Sequence, residues 1–180
     1  HEPSDLMNTP VLRFPAEWEP QAAILIAWPH AGTDWAQRLG AVEDTYVALV
    51  AAITRFQPAW ICVADDDLQT YAEARLRSAR VDMERVRFVP FDYDDTWLRD
   101  SGPIVLRDGD GFRVLDFHFT AWGGKFEAGR DDRLVESLAA QGRGPDLVML
   151  ENVQGALTSH GGADFSALCA ALRRAGDAFG

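Results

Sequence analysis

Cysteine is almost absent from this chain. Cys62 and Cys169 are the two it holds in 180 residues, too few for a disulfide framework and without the paired spacing of a metal site. With no such framework to maintain, the cytoplasm is the expected compartment. Long apolar runs are missing as well. No stretch of sequence approaches the roughly 18 residues that a spanning helix requires, so a membrane is not an expected partner. The polar opening residues lack the basic-then-apolar layout of a secretory leader. Basic charge is in deficit: 17 Lys and Arg stand against 28 Asp and Glu, a net charge of −11. Such a surface repels nucleic acid backbones and anionic lipid, which removes both from the expected partners. It suits a small cationic substrate, although solubility alone accounts for it equally well. The composition that remains is 47% apolar, and this length is enough for one domain, residues 1–180, with a real core.

Along the chain, residues 1–13 read as a loose arm. Residues 22–28 form a continuous apolar run of strand length, as suits a strand buried on both faces, and Pro29 ends it. From 34 to 56 the side chains Val42, Tyr46, Leu49, Val50 and Ile53 recur at three- and four-residue steps, a helical period. Thr33 or Asp34 would cap that helix and Pro58 would end it. Residues 59–64 read as a second buried strand, with Cys62 an inert core residue. The run Asp65-Asp66-Asp67 opens a helix to about Arg80, because acids in a first turn face the positive end of the dipole. It lacks the glycine and closing glutamate of a calcium loop, so no metal is expected there. A third strand spans 86–91. Strands at 104–107 and 112–117 are joined by Asp108-Gly109-Asp110-Gly111, a hairpin signal. Gly123-Gly124 permits positive φ or a close backbone approach. A helix over 131–140 ends near Gly142, and 146–150 is the last strand, with Glu151 at its tip. The alternation predicts an α/β fold with largely buried strands, and the hairpin predicts a sheet arrangement that is not purely parallel.

One stretch departs from what a short inter-strand link usually contains. Residues 94–103, Asp-Asp-Thr-Trp-Leu-Arg-Asp-Ser-Gly-Pro, carry three carboxylates, a guanidinium and an indole. If 97–100 is extended or a single turn, Trp97 and Asp100 reach one spot. A carboxylate grips a guanidinium through two parallel N–H···O bonds, and an aromatic face attracts its charge. The ordinary alternative stays open: Asp, Ser, Gly and Pro also build plain turns, and Trp97 would then be a core anchor.

Trp97-Leu98-Arg99-Asp100-Ser101-Gly102-Pro103 resembles the signature of the agmatine deiminase and Porphyromonas-type peptidylarginine deiminase family. Pro15-Ala16-Glu17-Trp18-Glu19-Pro20, Trp28-Pro29 with Asp34-Trp35, and Ala121-Trp122-Gly123-Gly124 are similar to family motifs in the same order. The resemblance runs from about 14 to about 151, and residues 152–180 diverge. It implies the pentein fold, an α/β propeller of repeated strand–helix modules, of which this chain would supply an N-terminal part. It also implies hydrolytic deimination: agmatine to N-carbamoylputrescine plus ammonia, in putrescine and polyamine metabolism, or arginine and peptidylarginine to citrulline. In that chemistry two carboxylates grip the guanidinium, a cysteine thiolate attacks its carbon and a histidine carries protons. Neither metal nor cofactor takes part.

Carried over by position, Asp100 is the first gripping carboxylate and Glu151 the second, although Asn152-Val153 follows Glu151 where the family has Gly-Gly. Trp97 lines the substrate slot, Asp94 and Asp95 help shape it, and Trp122 closes a wall or packs in the core. The family's Gly-His-x-Asp and glycine-rich cysteine segments have no counterpart before Gly180. His160 and Cys169 are the remaining candidates for that pair, but His160 has the wrong spacing to an acid and Cys169 sits on an amphipathic run. His30 and His118 precede the family's histidine and have no better claim. Two further readings therefore accompany the enzyme. One is a catalytically incomplete chain that binds guanidino ligands or a partner without turnover. The other is a partial α/β domain whose open apolar edge drives self-association into a homo-oligomer.

Overall fold

The computed structural model describes residues 12–16, 19–142 and 148–149. Two small sheets organise them. The first is parallel, with strand order β4-β3-β2-β7: β2 is Ile24–Ala27, β3 Ala59–Val63, β4 Val86–Pro90 and β7 Val148–Met149. The second is antiparallel, order β1-β5-β6, with β1 at Leu12–Arg13, β5 at Ile104–Asp108 and β6 at Gly111–Leu115. The α/β class read from the sequence is therefore observed, and the hairpin forms a sheet of its own. Gly109, with φ of 61°, turns that hairpin. Residues 12 and 13, expected as part of a loose arm, instead pair with Asp108 and Arg107.

Alternation along β2 divides the core. Ile24 and Ile26 join Ile61, Val63, Val42, Tyr46, Val50 and Leu76, on the side covered by α1 (Leu39–Ile53) and α2 (Asp66–Ser78). Leu25 and Ala27 point the other way, with Cys62, Val89, Phe91, Tyr93, Leu98, Leu134 and Leu138. That second side is covered by the single turn α3 (Leu98–Ser101) and, past the turn α4 (Ala121–Gly124), by α5 (Leu134–Ala140). Both faces of β2 are thus dry, which is why its sequence is an unbroken apolar run. Pro90 is tolerated in β4 because that strand is at the sheet edge.

A local signal starts one of the two long helices. Asp65 caps α2 by accepting the Leu68 amide at 2.7 Å. The cap expected for α1 is different. A 3-10 turn, Ala36–Arg38, precedes the helix, whose N-terminus has no side-chain cap. Thr33 Oγ1 instead donates to the His30 carbonyl, and the Asp34 amide serves another loop. The helix also stops at Ile53, ahead of Pro58, where Thr54 Oγ1 donates to the Val50 carbonyl at 2.9 Å. Helices α1 and α2 are cross-linked through Glu43, 3% exposed, whose Oε2 accepts from Tyr71 Oη at 2.8 Å and Arg75 Nη1 at 3.1 Å.

The parallel strands all deliver their carboxyl ends to one edge. From there β2 continues into Trp28-Pro29-His30 and β4 into residues 91–97, and crevices at such an edge are where open α/β sheets place ligands. Ile61 has no exposed surface and lies between sheet and helices. Ile61→Ala is expected to lower unfolding free energy by about 2–5 kcal/mol, read as a lower urea midpoint at unchanged m-value; a shift under about 1 kcal/mol would mean that this face is not the core.

Candidate functional site

The loop from β4 to α3 has no ladder to satisfy its backbone, so side chains do so. Tyr93 is fully buried, and its hydroxyl donates to the Trp28 carbonyl, joining this loop to the end of β2. Burial holds the Tyr93 phenol protonated, well above its ordinary pKa. Asp95 is 4% exposed; its Oδ2 accepts the Asp34 amide at 2.8 Å and its Oδ1 the Thr96 amide at 2.6 Å. Burial raises the Asp95 pKa, against the lowering effect of those amides. Thr96 Oγ1 accepts from Trp35 Nε1 at 2.9 Å. Asp94 turns outward enough for Oδ2 to accept the Arg130 amide at 2.9 Å and Oδ1 to meet Arg130 Nε at 3.2 Å. Both Asp94 and Asp95 thus spend their oxygens on shaping the loop.

Trp97 stands at the head of α3 and Asp100 in its first turn, with the Asp100 amide donating to the Trp97 carbonyl at 3.2 Å. Trp97 itself has non-helical dihedrals, φ −80° and ψ 53°, and flanks the turn from outside. Of the two conformations left open, extended or a single turn, the turn is what forms. Asp100 lies at the surface, yet partial burial lifts its pKa above the ordinary value, with Arg99 pulling the other way.

Around Trp97 the structure assembles rings that the sequence separates. Trp122 lies 4.9 Å from it, edge to face at 70°, and Phe126 lies 5.1 Å away at 60°. Phe119 packs on Trp122 at 5.3 Å. Trp122 is not a core residue: it is 52% exposed, and Phe126 is 39% exposed. The result is an open aromatic shelf next to the Asp100 turn. Trp122 is presented by α4, a turn with positive φ at all four positions: 48° at Ala121, 54° at Trp122, 84° at Gly123 and 78° at Gly124. Left-handed backbone is unfavourable for residues with a Cβ, and strain of this kind gathers at functional sites. A Cβ on Gly123 or Gly124 would meet no atom within 4 Å, so dihedral freedom rather than space calls for glycine there.

Beneath the loop lies Asp131, with no exposed surface. Its Oδ1 accepts the Asp94 amide at 2.7 Å and the Asp95 amide at 3.3 Å, while its Oδ2 has no partner. Burial pushes its pKa up to about 6, against the two amides, with the charges of Asp94 and Asp95 adding to the rise. Sequence reading missed this residue, which looks like an ordinary first-turn acid, and it missed Phe119 and Phe126, which follow no period. His30 is half-buried, its ring 5.0 Å from Tyr93. Its Nδ1 accepts the Gly32 amide, which leaves the hydrogen on the buried and unpartnered Nε2. Burial lowers the His30 pKa, favouring the neutral ring. His118 is exposed and pairs with Asp132 at 2.8 Å. Cys62 is fully buried on β3.

Glu151, His160 and Cys169 lie outside the described residues. Among those described, no three His, Cys, Asp or Glu side chains converge as a metal ion would need, and no helix is long and apolar enough to cross a membrane. A cavity of about 300 Å³ opens beside Thr54, Arg55, Arg80 and Arg85. It lies at the opposite edge of the parallel sheet, where β4 begins, and takes no part in the shelf.

The sequence profile of Porphyromonas-type peptidyl-arginine deiminase matches residues 13–163. An agmatine deiminase of Stutzerimonas stutzeri is 37% identical over 113 residues, 62% of this chain and 29% of that protein. One from Pseudomonas aeruginosa is 35% identical over 133 residues, 70% of this chain and 34% of that protein. Among solved structures, a variant agmatine deiminase of C. jejuni with substrate bound superposes with a TM-score of 0.66 at 25% identity, covering 78% of this chain and 40% of that one. The chain spans about a third of the length of the curated relatives it matches.

The buried acid gives a pH signature. A carboxyl raised from 3.8 to about 6 keeps its proton in the folded state after the unfolded chain has lost it. Its contribution therefore favours folding below about pH 4, is lost as pH rises to 6, and is constant above. Relative to Asp131→Asn, the unfolding free energy of the wild type should fall by on the order of 2–3 kcal/mol across that window. A difference that stays flat from pH 4 to 7 in urea melts would show that Asp131 is not raised.

Proposed function

The chain belongs to the Porphyromonas-type peptidyl-arginine deiminase family, and from that premise we propose that its aromatic shelf and the Asp100 turn form the guanidinium-binding half of a deiminase site. The observation that carries this is the open cluster of Trp97, Trp122 and Phe126 beside the turn that bears Asp100. An exposed ring face attracts a cation by about 0.5–2 kcal/mol. A carboxylate paired to a guanidinium adds direction through two parallel hydrogen bonds. Agmatine is the substrate this reading favours, since the relatives in Stutzerimonas stutzeri and Pseudomonas aeruginosa are named agmatine deiminases. Peptidylarginine is the close alternative.

In the full reaction Asp100 and Glu151 hold the guanidinium N–H groups and so fix the carbon for attack. Asp94 and Asp95 act from behind, holding the loop whose end carries Trp97. A thiolate adds to the guanidinium carbon, and ammonia leaves with a proton delivered by a histidine. Water then displaces sulfur to give the urea-type product and regenerate the thiol. His160 and Cys169 are the remaining candidates for those roles in this chain. The strand–helix layers are read as part of a pentein propeller, a fold that surrounds its site with repeated modules.

One observation favours a second reading, guanidinium binding without turnover. The thiol among the described residues, Cys62, is fully buried in the strand core, where a thiol is inert.

Ammonia release and binding are measured together. Agmatine is expected to bind and putrescine, which lacks the guanidinium, to bind far more weakly. Asp100→Asn should weaken agmatine by about tenfold or more, the worth of a charged hydrogen bond, and should abolish any ammonia release. Binding without release selects the second reading. Equal affinity for the two amines, or an Asp100→Asn variant with unchanged affinity, sinks the guanidinium site. Under a thiol reagent native Cys62 stays unmodified; its rapid labelling would contradict its burial.

A further inference from the structure

We infer that the adjacent carboxylates Asp131 and Asp132 are positioning residues that together set the separation of the two halves of the aromatic shelf. The shelf comes from two segments distant in sequence, residues 94–100 and 118–126. Asp131 takes the first half. Its Oδ1 accepts the Asp94 and Asp95 amides, at 2.7 and 3.3 Å, just ahead of Trp97. Asp132 takes the second half. Its Oδ1 accepts the Phe119 amide at 2.5 Å and its Oδ2 meets His118 Nδ1 at 2.8 Å, just ahead of Trp122. Neighbouring residues thus carry both acceptors, so one short piece of backbone spans the gap between the segments.

That piece is itself fixed. Asp131–Arg133 is a 3-10 turn that runs directly into α5, whose Leu134 and Leu138 are buried in the sheet core. The hold on the first segment is also reciprocal. The Arg130 amide donates back to Asp94 Oδ2 at 2.9 Å, and the Arg130 guanidinium meets Asp92 at 3.0 Å. Neither acid is placed as a ligand group. Asp131 is sealed from solvent. For Asp132, burial pushes the pKa up, but the Phe119 amide and His118 outweigh it and hold the carboxyl below its usual range, as for an anion engaged by fixed donors. Two anions in a row at a helix start also suit its dipole, but a dipole does not require contacts to amides at 94, 95 and 119. Those contacts leave the Trp97 and Trp122 rings 4.9 Å apart.

What the shelf binds rests on the guanidinium reading above, whereas the separation of its halves does not, and the experiment keeps the two apart. The full chain is compared with Asp131→Ala, Asp131→Asn, Asp132→Ala and Asp132→Asn. The first readout is the exciton couplet of the two indoles in far-ultraviolet circular dichroism, assigned by its loss in Trp122→Phe. The second is agmatine affinity by calorimetry. Either alanine variant should lose the couplet and weaken agmatine about tenfold or more. The asparagine variants retain an oxygen acceptor and should keep both. Alanine variants that hold the couplet, or asparagine variants that lose it, overturn the inference. If Asp131→Ala does not fold, Asp132→Ala decides, since its carboxyl is 27% exposed. A wild type that shows the couplet but does not bind agmatine sinks the guanidinium reading, and the couplet alone then judges the two acids.

Discussion

Backbone amides that leave a sheet still need acceptors, and away from water an unmade hydrogen bond costs about 1–3 kcal/mol. The link between β4 and α3 meets that demand with carboxylates. Asp131 serves the amides at 94 and 95, Asp95 serves those at 34 and 96, and Asp94 serves the one at 130. Each acid is therefore a fixed node between two segments. An acidic cluster that looks on paper like a binding site for cations is, atom by atom, mostly a scaffold for backbone. Among the described residues, Asp100, on the turn that follows, is a carboxylate outside that network.

The sheet makes that division of labour workable. Because β2 is buried on both faces, the positions at its carboxyl end are fixed by packing on either side. Tyr93 transmits this rigidity through its bond to the Trp28 carbonyl and its packing against Phe91 at 6.3 Å. The aromatic shelf is in consequence built outward from a rigid edge, with its most exposed ring on its most strained backbone.

Much of this was legible in the sequence. The apolar runs at 22–28 and 59–64 and the three- and four-residue steps of α1 follow directly from burial on two faces or one. Trp97 and Asp100 stood out because an indole and an acid are unusual in a short inter-strand link, whereas Trp122 was singled out through its resemblance to a family motif. What stayed hidden is long-range. Asp131 is a first-turn acid in any local reading, and its partners lie 36 and 37 residues away. Asp34, expected as a helix cap, gives its amide to a carboxylate 61 residues on. No period encodes Phe119 or Phe126, whose place depends on how two loops meet.

The strand order of the parallel sheet has a consequence for synthesis. β2 pairs with β3 early in the chain, but its other edge is covered by β7, which brings Val148 opposite Ile24. On the ribosome, residues 24–90 can collapse into helices and three strands well before residue 148 is made. Through that interval β2, the most apolar strand, presents an open ladder edge. Nascent chains are most exposed to wrong pairing in such a window. The late arrival of β7 therefore sets how long that edge stays open as the chain is made.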